Sequence, residues 1–94
     1  MKSIFQEEKE CYVCGKTYPL HRHHIYYGSA NRTTSEKEGC TVYLCPEHHN
    51  TGGKGIHKNR KLDLYIKWLC QKKWMELNDK TEQDFIDTFG RSYL

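Results

Sequence analysis

Along the second half of the chain the apolar positions recur with the period of a helix. Leu62, Tyr65, Ile66, Leu69, Trp74 and Leu77 stand mostly three or four residues apart, with Lys61, Lys67, Lys72 and Lys73 interspersed. A long helix is predicted from Asn59, with this aromatic stripe in the core. Thr81-Glu82-Gln83-Asp84 has the form of a variant capping box ahead of Phe85, Ile86 and Phe89, and Gly90 stops the short helix they predict. Upstream, Leu20 to Tyr27 ends in strand-favouring residues closed by Gly28, and Thr41-Val42-Tyr43-Leu44 is a second strand. Residues 28 to 39 read as a polar loop with glycine at each end. Pro46 suits the first turn of a short helix, which three glycines between Gly52 and Gly55 break. The expected fold class is α+β: a two-stranded antiparallel hairpin with a short helix, packed with two C-terminal helices.

Only 36% of the 94 residues are hydrophobic and 29% are charged, which leaves a single domain little apolar material for a core. Its expected parts are a flexible lead-in over 1–10, a metal motif over 11–57 and helical support over 58–94. So lean a domain often needs a staple, and five cysteines with six histidines supply a high density of metal ligands. The opening Met1 to Glu8 has no long apolar run, so neither a signal peptide nor a membrane span is expected, and a cytoplasmic setting follows. Structural disulfides are disfavoured there, and the odd cysteine count agrees. A net charge of +3 does not identify a nucleic-acid partner by itself. Lys54, Lys58, Arg60 and Lys61 nevertheless cluster with no acid among them, as a phosphate-binding patch or as the solvated start of a helix.

Cys11-Tyr12-Val13-Cys14-Gly15-Lys16 has the form of a zinc knuckle, with Gly15 free to take the positive φ that turns backbone N–H groups towards sulfur. A redox pair would need a helix to start at the motif, and Gly15, Thr17 and Pro19 follow instead. Cys45-x-x-His48 is the second ligand pair, so the predicted structural Zn2+ site is Cys11, Cys14, Cys45 and His48. Strand alternation puts His21, His23 and Ile25 on one face and Arg22, His24 and Tyr26 on the other. His23 would then ligate a metal while His24 faces substrate, provided a local bend brings both rings to one cleft. His21 reads as an exposed strand residue, and Cys40 and Cys70 as packed thiols.

Together, Cys11-x-x-Cys14, His23-His24-Ile25 and Leu44-Cys45-x-x-His48-His49 resemble the HNH branch of the ββα-metal nucleases. The chain is similar in particular to small phage-type HNH nucleases that run through Cys-Pro-Glu-His-His and a glycine-rich loop to Gly-x-His and end in Phe-Gly-Arg-x-Tyr-Leu. The resemblance spans about Cys11 to Leu94. It implies a zinc-stapled ββα-metal finger and a metal-dependent endonuclease hydrolysing DNA phosphodiesters, of phage or mobile-element origin. It further implies His24 as general base, with His23 and His49 holding a catalytic divalent cation, Mg2+ or Mn2+ with Zn2+ or Ni2+ as alternatives. An imidazole, with its ordinary pKa of about 6.5, can take a proton from water at physiological pH, while a cation opposite it stabilises charge on the phosphate.

Two positions depart from the family pattern. Where a third cation ligand is expected, Gly53 has no side chain, and His57 is the available substitute. Where the family carries an asparagine ahead of the second strand, this chain has Gly39-Cys40-Thr41, which leaves Asn31 or Asn50 for the orienting role. Arg32, Lys54, Lys58, Arg60 and Lys61 would contact DNA, duplex or single-stranded. A second function stays open: a catalytically inactive HNH-fold zinc module that binds nucleic acid or a phage or host protein, such as an accessory or anti-defence factor. Either fits a monomer or a homodimer.

Overall fold

The polar stretch between Gly28 and Gly39 folds as a helix. The computed structural model, which describes residues 2–49 and 55–94, runs through β1 (His21–His24), α1 (Ser29–Glu38), β2 (Thr41–Leu44), α2 (Pro46–His49), a 3-10 turn (Ile56–Lys58), α3 (Arg60–Asn78) and α4 (Glu82–Phe89). The strands pair antiparallel, with His21 opposite Leu44, Arg22 opposite Tyr43, His23 opposite Val42 and His24 opposite Thr41. The expected α+β class holds in this form: among the described residues, one two-stranded antiparallel sheet with four helices. The loop expected over 28–39 is corrected to α1.

The reason lies in how α1 docks. Its sequence has no apolar stripe, and its contacts are polar. The fully buried Ser35 hydroxyl accepts the Tyr26 N–H at 3.1 Å and donates to the Tyr26 carbonyl at 2.7 Å. The Trp74 indole N–H donates to Glu38 at 3.0 Å, and the Asn31 amide donates to the Phe89 carbonyl at 3.1 Å. Ser35 also explains why β1 stops at His24 and does not run on to Tyr27, since both backbone groups of Tyr26 are satisfied outside the sheet.

Both C-terminal helices form as predicted. The Asn59 side chain accepts the Leu62 N–H at the start of α3, and Thr81 and Asp84 make a reciprocal capping box at the start of α4. Tyr26 is the hub between them. Its ring meets Phe85 and Phe89 at centroid distances of 5.2 and 4.6 Å, and its hydroxyl donates to the Lys67 carbonyl at 2.6 Å. Burial pushes that phenol far above its usual range. Tyr93 docks back on this cluster, its N–H donating to the Gln71 side chain at 2.7 Å. Cys40 and Cys70 are buried free thiols, as expected.

The stripe of α3 is only partly core. Ile66 and Trp74 are buried, but Tyr65 and Leu77 are 54% and 56% exposed. The inward arc of α3 includes Asp63, Lys67 and Gln71, all buried, with Lys67 Nζ 2.9 Å from Asp63. Paired polar groups occupy core positions there, so the apolar residues alone misreport which face turns inward.

The lead-in is not a free tail. The Ile4 N–H donates to the Gly39 carbonyl at 2.9 Å, the Ser3 hydroxyl donates to the Thr41 carbonyl, and the Gln6 side chain accepts the Tyr43 N–H at 2.8 Å. Among the described residues no helix is long and apolar enough to cross a membrane.

Gly39 ends α1 with φ 75°, and a Cβ there would lie 2.6 Å from the Lys2 carbonyl oxygen; Gly28 has φ 101° with open space around it. Gly39→Ala should therefore cost roughly 1–3 kcal/mol of stability. Gly28→Ala, strained but unobstructed, should cost less. Urea midpoints check this, and equal midpoints would mean that the N-terminal segment gives way freely.

Candidate functional site

Two clusters of side chains that could each hold a metal ion meet at α2. The first begins in the knuckle, where the Cys11 N–H donates to the Lys16 carbonyl and the Gly15 N–H to the Cys11 carbonyl, both at 2.8 Å, with Gly15 at φ 78°. The Tyr12 N–H donates to the Tyr43 carbonyl at 2.9 Å, which seats the knuckle beside the end of β2. Cys45 follows β2, and its carbonyl accepts the N–H groups of His48 and His49 at 3.1 and 2.9 Å to start α2. Cys11, Cys14, Cys45 and His48 thereby bring one ligand atom each to within 4.8 Å of one another.

The spacings suit a metal cage. Cys14 Sγ lies 3.8 Å from Cys45 Sγ, and His48 Nδ1 lies 3.7 Å from Cys11 Sγ and 3.2 Å from Cys45 Sγ. A tetrahedral zinc with bonds of about 2.3 Å to sulfur and about 2.0 Å to nitrogen has edges of roughly 3.5–3.8 Å. The cluster is therefore compatible with a structural metal ion. Burial alone would push the Cys11 thiol up, but backbone groups of Cys45, Cys14 and Val13 outweigh it and bring it down to about 6. That shift favours the thiolate, the ligating form.

The second cluster joins β1, α2 and the 3-10 turn. His23, His49 and His57 place one ligand atom each within 4.8 Å of one another, and their ring centroids form a near-regular triangle of 5.3, 5.3 and 5.2 Å. His23 is 2% exposed, and its Nε2 has no hydrogen-bond partner among the described residues. Burial, reinforced by His49 and His57, lowers His23 to about 3, so the ring is neutral and its lone pair available at physiological pH. His49 is lowered by burial and then by His57 and His21. His21 is corrected here: it is half-buried, with Nδ1 2.9 Å from His49 Nδ1. One of the two nitrogens donates, and His49 Nε2 is left for the cluster.

Arg22, His23, His24, Tyr27, Arg32, His49 and His57 line one open cavity of about 270 Å³. The required convergence of His23 and His24 is therefore met where β1 ends. His24 Nε2 lies 3.1 Å from Glu36 Oε2, and Arg22 Nε donates to the same oxygen at 3.0 Å. The Arg22 guanidinium holds the Glu36 carboxyl below the usual range. An ionised carboxylate only accepts, so a neutral His24 carries its proton on Nε2 and keeps Nδ1 unprotonated. Below the cavity, the Tyr27 hydroxyl donates to Asp63 at 3.1 Å, and Lys67 Nζ sits 4.0 Å from the Tyr27 ring centroid.

Of the predicted DNA contacts, Arg32 lines the cavity, while Lys58, Arg60 and Lys61 are exposed on the 3-10 turn and the start of α3. Lys54, Asn50 and Gly53 lie outside the described residues. Asn31 spends its amide on Phe89, and the side chain that touches His24 is Glu36. Glu36 was hidden by the loop reading of 28–39. Glycines bracketing a ten-residue stretch, with Lys37 ahead of the second, are the helix-stop signal that could have exposed it. Comparison of the chain with protein-family models, curated proteins and solved structures yields no match.

Protein purified without added zinc should retain one tightly held ion, and Cys14→Ser should lose both the ion and most ordered structure, read by elemental analysis and circular dichroism. A chain that folds stably without metal would contradict this. Because the Cys11 value is depressed from 9.0 to about 6, the thiolate's contribution is present at higher pH and is lost as pH falls through 6. Protons compete with an ion for the same ligands, so metal release to a dye, followed from neutral pH downward, should rise as pH falls.

Proposed function

We propose that the chain is a metal-dependent endonuclease of the HNH, ββα-metal type, hydrolysing DNA phosphodiester bonds. One observation carries the reading: a three-histidine cluster shares a cavity with a fourth histidine, His24, whose Nε2 faces an ionised carboxylate. On this reading β1, β2 and α2 are the finger, and zinc on Cys11, Cys14, Cys45 and His48 staples it. His24 Nδ1 takes the proton of the attacking water, and the Nε2–H bond to Glu36 steadies the ring as it becomes cationic. Arg22 keeps Glu36 ionised, and Arg32 would meet a phosphate oxygen.

His23, His49 and His57 would hold the divalent cation, which when bound stabilises negative charge on the scissile phosphate and the leaving oxygen. An all-imidazole set suits Zn2+ or Ni2+ better than Mg2+, which prefers oxygen ligands. Glu36, reaching His24 from α1, would take the orienting role that the family gives to asparagine.

His24→Ala should lower DNA cleavage by ~10²–10⁴-fold while the protein stays folded, zinc-loaded and able to bind DNA. His23→Ala, His49→Ala and His57→Ala should lose cation affinity, so excess metal should partly restore them and leave His24→Ala unrestored. Glu36→Gln should slow cleavage less than His24→Ala does. Single-turnover assays on plasmid, linear duplex and single-stranded DNA across Zn2+, Ni2+, Mn2+ and Mg2+ decide the matter. If the unaltered protein cuts none of these substrates, the reading fails, and a zinc module that binds without cutting takes its place.

A further inference from the structure

The outward face of α3 carries a stripe that the nuclease chemistry does not use. Lys61, Tyr65, Trp68 and Lys72 are all exposed, and their spacing of four, three and four residues keeps them within roughly 60° of one another about the helix axis, over about 16 Å. Tyr65 is 54% exposed and Trp68 37%. The two rings are stacked at a centroid distance of 6.3 Å and an interplanar angle of 26°, and Lys72 Nζ sits 4.4 Å from the Trp68 centroid. Between the two lysines no acid shares the face, since Asp63 is buried against Tyr27 and Lys67. Tyr12 of the knuckle, 39% exposed, lies close enough for the Tyr65 hydroxyl to raise its phenol, after burial does.

Such a face pairs flat π surfaces with cations at both ends. Its complement is a polymer that alternates flat apolar faces with anions. In a duplex the base faces are stacked on one another, so a duplex could satisfy the lysines but not the rings. We propose that the Lys61–Tyr65–Trp68–Lys72 face of α3 binds single-stranded DNA, with unpaired bases stacked on Tyr65 and Trp68 and phosphates at Lys61 and Lys72. The proposal rests on the nuclease reading for its choice of DNA, and it names the strand form that the protein takes.

The test is a binding titration of the zinc-loaded protein without added divalent cation. The probes are an oligothymidylate, an abasic oligomer of the same length and a hairpin duplex. The thymidylate should quench the exposed Trp68, Trp74 being only 3% exposed, and the abasic oligomer should not. Trp68→Leu and Tyr65→Leu, checked for unchanged zinc content and circular dichroism, should each weaken thymidylate binding by about 5- to 100-fold without changing its salt dependence. Lys61→Ala and Lys72→Ala should each lower the magnitude of the log–log salt slope by about 0.7.

Equal affinity for thymidylate and abasic oligomers, or an unaltered affinity in both aromatic variants, overturns the proposal. So does a dimer, seen by light scattering, that Trp68→Leu dissolves while DNA binding persists, because the face then belongs to a second copy of the chain. The two readings fail separately. Protein that binds thymidylate through Trp68 and cuts nothing loses the nuclease reading alone, and protein that cuts duplex with both aromatic variants binding normally loses this one alone.

Discussion

One hydroxyl, that of Ser35, closes both backbone groups of Tyr26 in a region that water does not reach. A buried donor and acceptor left open cost more than the bonds gain when made, so this contact is one the fold cannot give up cheaply. Much follows from it. It ends β1 after His24, brings α1 against the strand, and sets Glu36, the next residue along, at the His24 ring. It also fixes the backbone from which the Tyr26 ring enters the cluster of Phe85, Phe89 and Tyr93.

What the sequence disclosed was local. The start signals at Asn59 and Thr81 and the stop at Gly90 act within a few residues, and α3 begins after Asn59 while α4 lies between Thr81 and Gly90. The ligand pairs Cys11/Cys14 and Cys45/His48 were equally legible, because each sits within one turn of chain and only their meeting had to be supplied by the fold. The failures over the two helices α1 and α3 share one cause: buried polar groups that find partners. A helix held by Ser35, Asn31 and Glu38 shows no apolar period, and a helix that buries Asp63, Lys67 and Gln71 turns a different face inward from the one its hydrophobic residues suggest.

The site divides along the same line. His23, His49 and His57 were legible as a set of donor atoms, and the structure brings those three together. The carboxylate beside His24 was not, because it lies on the helix that periodicity could not reveal. Alternation did put Arg22 on the His24 side of β1, and both side chains meet Glu36 from there. His21 was misread because strand alternation says which side a residue takes but not that α2 returns to cover it with His49.

His48 and His49 are consecutive residues of the four-residue helix α2, yet they serve different clusters. A single turn of helix has no hinge with which to adjust one imidazole while the other stays fixed. Ions held at the two clusters would therefore share a coupling free energy, and by linkage each would change the other's affinity by the same factor.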